Sequence, residues 1–376
     1  MVSVSILTPP GRGAVATVAV WGNGASAVVG KLFSSNSAGA LVNAAVGRIL
    51  FGRWKPSGEE LVVARRAEDE IEVHCHGGQA AVSAIVTSLT EQGCQQVPWR
   101  DWKRRLATNS IVVEAMDALA RATTLRAAAI LLDQFHGALA DELESCAKLL
   151  EAADEASRGA AGERLRRLVE RFAVGRHLVE PFHIVIAGKP NVGKSSLVNA
   201  LAGYQRSIVF DQPGTTRDVV TVRTAIDGWP VELSDTAGLR ASEDALEAAG
   251  VQMSLERMAA ADLVLLVFDA RQPWQLADDE LAAEWPNAVV VHNKSDLASP
   301  PANARPGIVT SAILGAGIDA LLRAITDRLV PDPSANGAAV PFSASQEQAI
   351  REALTFLEAN DDTSAVRLLK QASDGR

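Results

Sequence analysis

Gly188-Lys189-Pro190-Asn191-Val192-Gly193-Lys194-Ser195 follows the apolar run Phe182-His-Ile-Val-Ile-Ala187 and leads into Ser196-Leu-Val-Asn-Ala-Leu201. A buried strand, a glycine-rich turn and a helix opening, in that order, predict an α/β domain with a phosphate cradle at its strand-to-helix turn. Backbone N–H groups and the positive helix N-terminus then face phosphate oxygens. Lys194 reaches the β and γ oxygens, and Ser195 offers a hydroxyl to Mg²⁺. The alternative, a glycine turn that holds no ligand, is weakened by the strand before and the helix after.

Further along, Asn293-Lys294-Ser295-Asp296 ends a second apolar run, Ala288-Val-Val-Val-His292. Alone it is a plausible helix-capping turn, since Asn, Ser and Asp all favour caps. After a phosphate loop it reads as base selection, because one carboxylate at Asp296 accepts both N1–H and N2–H of guanine, which adenine cannot offer. The stem of Lys294 is placed to cover the base, and Asn293 to tie this loop to the phosphate loop. A third, weaker element is Ser311-Ala312, whose backbone amide is expected near O6. Between these lie Asp235-Thr236-Ala237-Gly238 and Gly214-Thr215-Thr216-Arg217. Asp235 is expected to hold the water shell of Mg²⁺, Gly238 to bring its N–H to the γ-phosphate, and the Thr215-Thr216 pair to supply a hydroxyl to the metal. These two loops read as switch segments, ordered by the γ-phosphate. The predicted GTP-binding set also includes Ser196, beside Gly188, Asn191, Val192 and Gly193.

The catalytic group is less direct. The residue after Gly238 is Leu239, which cannot orient a water as Gln does in Ras-like enzymes. Asn191 is one candidate, through a monovalent cation held beside the phosphates. Glu247 is another, positioning water; its plainer reading is a solvated charge at a helix opening.

GKPNVGKSSLVNALAG, IVFDQPGTTRDVV and LSDTAGLR with Glu247 beyond resemble the GTPase domain of the MnmE (TrmE) family of tRNA-modification GTPases. Thr8-Pro-Pro-Gly-Arg-Gly13 and Glu72-Val-His-Cys-His-Gly-Gly78 resemble its N-terminal domain. The resemblance implies that Asn191 is a potassium ligand, that Glu247 is the general base acting through water, and that GTPase domains pair across a homodimer. It also implies action on the wobble uridine of tRNA with an FAD-dependent partner, and a folate on the N-terminal domain. The chain departs from the family in several places. Ala19 stands where the family strand carries Arg, and a longer loop is reduced to Ala67-Glu68-Asp69. The opening of the helical part reads Pro98-Trp-Arg-Asp-Trp-Lys-Arg-Arg-Leu-Ala-Thr-Asn109, keeping only Glu114-Ala115, and no Cys lies near Arg376. These differences fall on the folate site and the modification chemistry and leave the GTPase motifs whole. Two functions therefore stand side by side: a cation-assisted GTPase of tRNA modification, and a switch or assembly GTPase on the same scaffold without folate binding or modification chemistry.

The rest of the chain bounds these readings. Its 376 residues suffice for two or three domains, and a net charge of −9 gives no support to a broad phosphate-tracking surface. Arg100, Lys103, Arg104 and Arg105, interleaved with Trp99 and Trp102, read either as an RNA contact or as a snorkelling helix start over buried tryptophans. Cys75, Cys94 and Cys146 lack a paired spacing, and His74 and His76 share one side of a strand without further metal ligands. With no signal-like start and no apolar run long enough to cross a membrane, a cytoplasmic location is expected. Leu132, Phe135, Leu139, Leu143, Cys146 and Leu150 read as one buried helical stripe. The expected organisation is a small α+β domain over 1–98, a helical part over 99–178, the P-loop GTPase domain over 179–331 and a helical tail over 332–376. The GTPase domain is then an insertion in a helical domain.

Overall fold

A computed structural model of the chain describes residues 1–9, 13–35, 41–106, 109–152, 154–204, 221–235 and 255–374. The chain divides into two compact units, 1–108 and 109–376.

The first unit is built on a seven-stranded sheet. Its strands are β1 (Ser3–Ile6), β2 (Val15–Trp21), β3 (Phe33–Ser35), β4 (Ile49–Trp54), β5 (Glu60–Ala67), β6 (Glu70–His76) and β7 (Gln95–Gln96), in the spatial order β3-β4-β5-β6-β2-β1-β7. All pairings are antiparallel except β1 with β7. Period-2 alternation sends Val18 and Val20 to one face, where helices α1 (Ala25–Leu32) and α2 (Gln79–Glu91) close a core with Val29, Ile85 and Leu89. Ala19 and Trp21 go to the other face. There the short helix α3 (Trp99–Leu106) lays Trp102 over them. Lys103 sits 4.8 Å from the Trp102 ring centre, while Arg105 pairs with Glu70 and stacks on Trp21. Trp102 is buried and Trp99 half-buried.

The second unit begins with helices α4 (Ser110–Leu119), α5 (Leu125–Phe135), α6 (Ala138–Glu151) and α7 (Glu155–Gly175). The single stripe expected over 132–150 is corrected here. His136-Gly137 interrupts it, with Gly137 at φ 110° capping α6 in the left-handed region that glycine adopts without penalty. Leu132 is 44% exposed and its neighbour Leu131 is buried instead. Beyond the break the stripe holds: Leu139, Leu143, Cys146 and Leu150 are buried with Leu165 and Leu168 of α7.

A six-stranded sheet follows, from β8 (Phe182–Ala187), β9 (Thr221–Ile226), β10 (Trp229–Asp235), β11 (Leu263–Asp269), β12 (Val289–Asn293) and β13 (Ile308–Val309). Its order is β13-β12-β11-β8-β10-β9, parallel except for β9 against β10. Helix α8 (Lys194–Tyr204) and, later, α10 (Ile318–Leu329) cover one face, with Leu197, Leu201, Leu321 and Ile325 packed on Ile184, Ile186, Leu265 and Val267. Helix α9 (Leu276–Glu284) contributes Ala282 to the opposite face, beside Val185, Val264 and Leu266. Covering both faces explains why β11 is apolar at every position before its last. Two more helices, α11 (Ala344–Glu358) and α12 (Asp362–Asp374), separated at Asn360 (φ 60°), pack on α6 and α7 through Ile350, Leu357, Ala365 and Leu369. The chain leaves α7 beside the place where it returns. Arg171 donates to the Ala339 carbonyl at 3.0 Å, and buried Gln134 bonds both Ala338 and Val340.

No helix among the described residues is long and apolar enough to cross a membrane.

Candidate nucleotide-binding site

The site lies past the C-terminal ends of β8, β10, β11 and β12, where parallel strands leave a crevice for ligands. β8 delivers the turn Gly188–Gly193, and α8 starts at Lys194, so the first helical amides open onto the turn. Two glycines are required by geometry. A Cβ at Gly188 (φ 149°) would overlap the Val267 carbonyl oxygen, and one at Gly193 (φ 96°) would overlap the Asn293 amide nitrogen. Buried Lys194 folds back across the turn, its Nζ donating to the carbonyls of Gly188 and Lys189 at 3.0 Å each. That places an ammonium in the cradle. Ser195 Oγ donates to Asp235 Oδ2 at 2.6 Å, so the two groups expected around Mg²⁺ meet. A hydroxyl and a carboxylate are the hard oxygen donors that such an ion takes.

The second loop is bound to the first. Asn293 Nδ2 donates to the Val192 carbonyl at 3.0 Å, while its Oδ1 accepts from the Ala312 amide at 3.1 Å and the Thr310 hydroxyl at 3.3 Å. One buried side chain thereby joins the phosphate loop, β12 and the 310–312 segment. Ser311 Oγ donates to Asp296 Oδ1 at 2.6 Å, which fixes the carboxylate expected to read guanine. The amides of Ser311 and Ala312 are both engaged within the protein, with the Ala316 carbonyl and Asn293 respectively. Lys294 sits at φ 68° and sends its Nζ back to the Asn191 carbonyl and to Asp269. Asn191, itself at φ 61°, is exposed at the tip of the turn. Ser196 lies exposed in the first turn of α8. Thr215, Thr216, Thr236, Ala237, Gly238 and Glu247 lie outside the described residues.

Two contacts went unread in the sequence. Asp269, the last residue of β11, stands in register with Asn293 and accepts from Arg271 and Lys294. The Arg271 guanidinium holds its carboxyl well below the usual carboxylate range; burial opposes this, and Lys294 adds to it. Lys189 pairs with Asp278 of α9 at 2.7 Å, tethering the phosphate loop from its other side. The signal for Asp269 was a single charge ending the otherwise apolar run Leu263-Val-Leu-Leu-Val-Phe268. Lys189 carried none, because a surface lysine in a loop has no preferred partner. Elsewhere, His74 meets Thr17 and Glu72, His76 meets Glu59, and no cluster able to hold a metal occurs among the described residues.

A lysine-bearing phosphate loop, a serine–aspartate pair and an asparagine-anchored second loop on a mostly parallel sheet define a P-loop nucleotide-binding protein. Comparison with known proteins narrows the class. Residues 183–294 match the protein family described as "50S ribosome-binding GTPase". The tRNA modification GTPase MnmE of Geobacillus kaustophilus is 34% identical over 376 residues, with 86% of this chain and 80% of that protein covered. The protein of the same name from Koribacter versatilis is 33% identical, with 97% of this chain and 90% of that protein covered. A crystal structure of Aquifex aeolicus Era is 28% identical over 46% of this chain and 65% of its own, at a TM-score of 0.32, a partial likeness that adds nothing to the geometry above. The chain belongs to the MnmE family of tRNA modification GTPases, and its activity is the hydrolysis of GTP.

Proposed function

We propose that the chain is a cation-assisted GTPase whose hydrolysis cycle serves modification of the wobble uridine in tRNA. In this reading Gly188, Val192, Gly193, Lys194 and Ser196 cradle the phosphates, while Ser195 and Thr216 bind Mg²⁺ with Asp235 behind them. Asn191 holds K⁺ beside the phosphates, where a cation offsets charge that develops in the transition state. Thr215, Thr236, Ala237 and Gly238 contact the γ-phosphate side. Asn293, Lys294 and Asp296 take guanine, with Ser311 orienting Asp296 and Ala312 locked to Asn293. Glu247 positions the attacking water. The GTPase domain, 179–331, is an insertion in the helical domain, and GTP with K⁺ pairs two such domains in a homodimer. The partner is an FAD-dependent protein and the compartment is the cytoplasm.

The observation that carries this reading is the convergence of Ser195 on Asp235 at 2.6 Å with Asn293 tied to Val192 at 3.0 Å. One joins the phosphate loop to the expected metal carboxylate, and the other joins it to the base loop. Hydrolysis measured with KCl against NaCl at equal ionic strength tests the cation. Turnover should rise several-fold in potassium, and Asn191→Ala should erase the difference. Equal rates in both salts would remove the cation from the mechanism.

A second reading, a switch GTPase without folate chemistry, is favoured by one observation. Ala19 has 0% exposure and is packed beneath Trp21 and Trp102. An alanine covered by indoles puts no charge at this strand position for a glutamate tail, and the nearby cations Lys103 and Arg105 lie on the indole rings themselves, which supports the reading without folate.

A further inference from the structure

We infer that Asp269 is a positioning residue of the guanine site: it fixes Lys294, and through Lys294 it holds the base loop against the phosphate loop. The inference rests on the reading of 293–296 as the base loop and adds a residue to it.

Asp269 ends β11 directly beside Asn293, and the Ala270 amide donates to the Asn293 carbonyl at 2.8 Å, so the two strand ends share one backbone register. Only 5% of Asp269 is exposed. Its Oδ1 accepts from the Arg271 amide and Nε, each at 3.0 Å. Its Oδ2 accepts from Arg271 Nη2 at 2.7 Å and Lys294 Nζ at 2.8 Å. Arg271 thus holds the carboxylate by a two-toothed grip from its own loop, and the carboxylate presents one oxygen to Lys294.

Lys294 has few other constraints. Its backbone occupies the left-handed region, which a non-glycine residue leaves readily unless something holds it. Its Nζ has two acceptors, Asp269 and the Asn191 carbonyl, and the latter is neutral. The charge-assisted bond to Asp269 is the stronger of the two. It stretches the methylene stem past Gly193, whose Cβ, if present, would lie 3.7 Å from Lys294 Cε. A stem held straight across the site is a ready apolar platform for a planar base. Without Asp269 the ammonium turns to solvent, and the platform must be re-ordered on every binding event, which weakens affinity.

The test is GDP affinity by titration of a fluorescent GDP derivative on the full chain, in wild type, Asp269→Asn, Lys294→Met and the double variant. Asp269→Asn should weaken GDP about tenfold, the effect of losing one charge-assisted bond. The double variant should bind no more weakly than Lys294→Met alone, because Asp269 acts through Lys294. Unchanged affinity in Asp269→Asn, or fully additive losses in the double variant, would overturn the inference. Arg271→Ala leaves the buried carboxylate in place and guards against a folding defect. It should weaken GDP by about two- to threefold, and no change would count against the inference. Asp296→Asn separates the inference from the reading beneath it. If that variant keeps full preference for GDP over IDP, which lacks N2, the base loop is misassigned and the inference falls with it. If only the Asp269 variants behave like wild type, the base loop stands and Asp269 alone is discarded.

Discussion

Asp269 shows how much one residue adds when a strand end places it next to a motif. Its carboxyl is held low by Arg271 first, against the pull of burial, with Lys294 assisting. A folded-state value below the ordinary 3.8 means that ionisation of this group stabilises the fold fully above that value. The contribution fades as the pH falls from there toward the depressed value. Denaturant unfolding of wild type and Asp269→Asn should therefore differ by a constant amount from pH 7 down to about pH 4.5, with the gap narrowing in more acid solution. A gap that widens below pH 4.5 would reverse the assigned sign. The tie between the 293–296 loop and the phosphate loop was legible because Asn, Lys and Asp occur at a fixed spacing after an apolar strand. Asp269 was not, because a lone carboxylate at a strand end is indistinguishable in sequence from a helix cap or a turn.

Among the elements, the helices divide into those whose limits the sequence revealed and those whose limits it concealed. The phosphate loop gave α8 its start, since strand, glycines and lysine leave one place for the helix to open. The boundary between α5 and α6 was concealed: Leu132, Phe135 and Leu139 keep helical spacing across Gly137, and periodicity alone does not register that the axis changes direction there. Only packing distinguishes Leu131 from Leu132. The same packing ranks the helices by energetic weight. Leu143 of α6 is 1% exposed and lies among Leu165, Ile350 and Leu369, drawn from three other helices. Leu143→Ala should cost about 3 kcal/mol of unfolding free energy in a denaturant titration, as a cavity in a many-sided core relaxes poorly. Leu132→Ala, on an exposed position of α5, should cost less than about 0.5 kcal/mol. Comparable losses at the two positions would mean that the helical core is not the cooperative unit described. Cys146 belongs to the same core. Burial, and then Glu142, push its thiol up to about 11, so it stays protonated and inert at neutral pH.

At the scale of the whole molecule, family membership and the closed face over Ala19 pull in different directions. The GTPase motifs are all present in the sequence, whereas in the first unit the uncharged Ala19 is buried beside Trp21 and Trp102. Titration of the full chain with tetrahydrofolate, followed by tryptophan fluorescence and by calorimetry, should give no saturable signal. Saturable binding would show that Trp102 moves aside and would overturn the reading without folate. The resemblance in the sequence named the family, but it could not say what fills the space left by a missing side chain. Trp102 lies far from Ala19 in sequence, and only the fold brings them together.

The meeting of Gly175 with the returning chain has a consequence for how the molecule assembles. Gly175 has no space for a side chain against Pro341, and Gln134 clasps the same returning stretch through both ends of its amide. The two ends of the segment that carries the six-stranded sheet thus meet at a narrow doorway beside α7. Once the helices have closed that doorway, the entropy of bringing the segment's ends together has already been met.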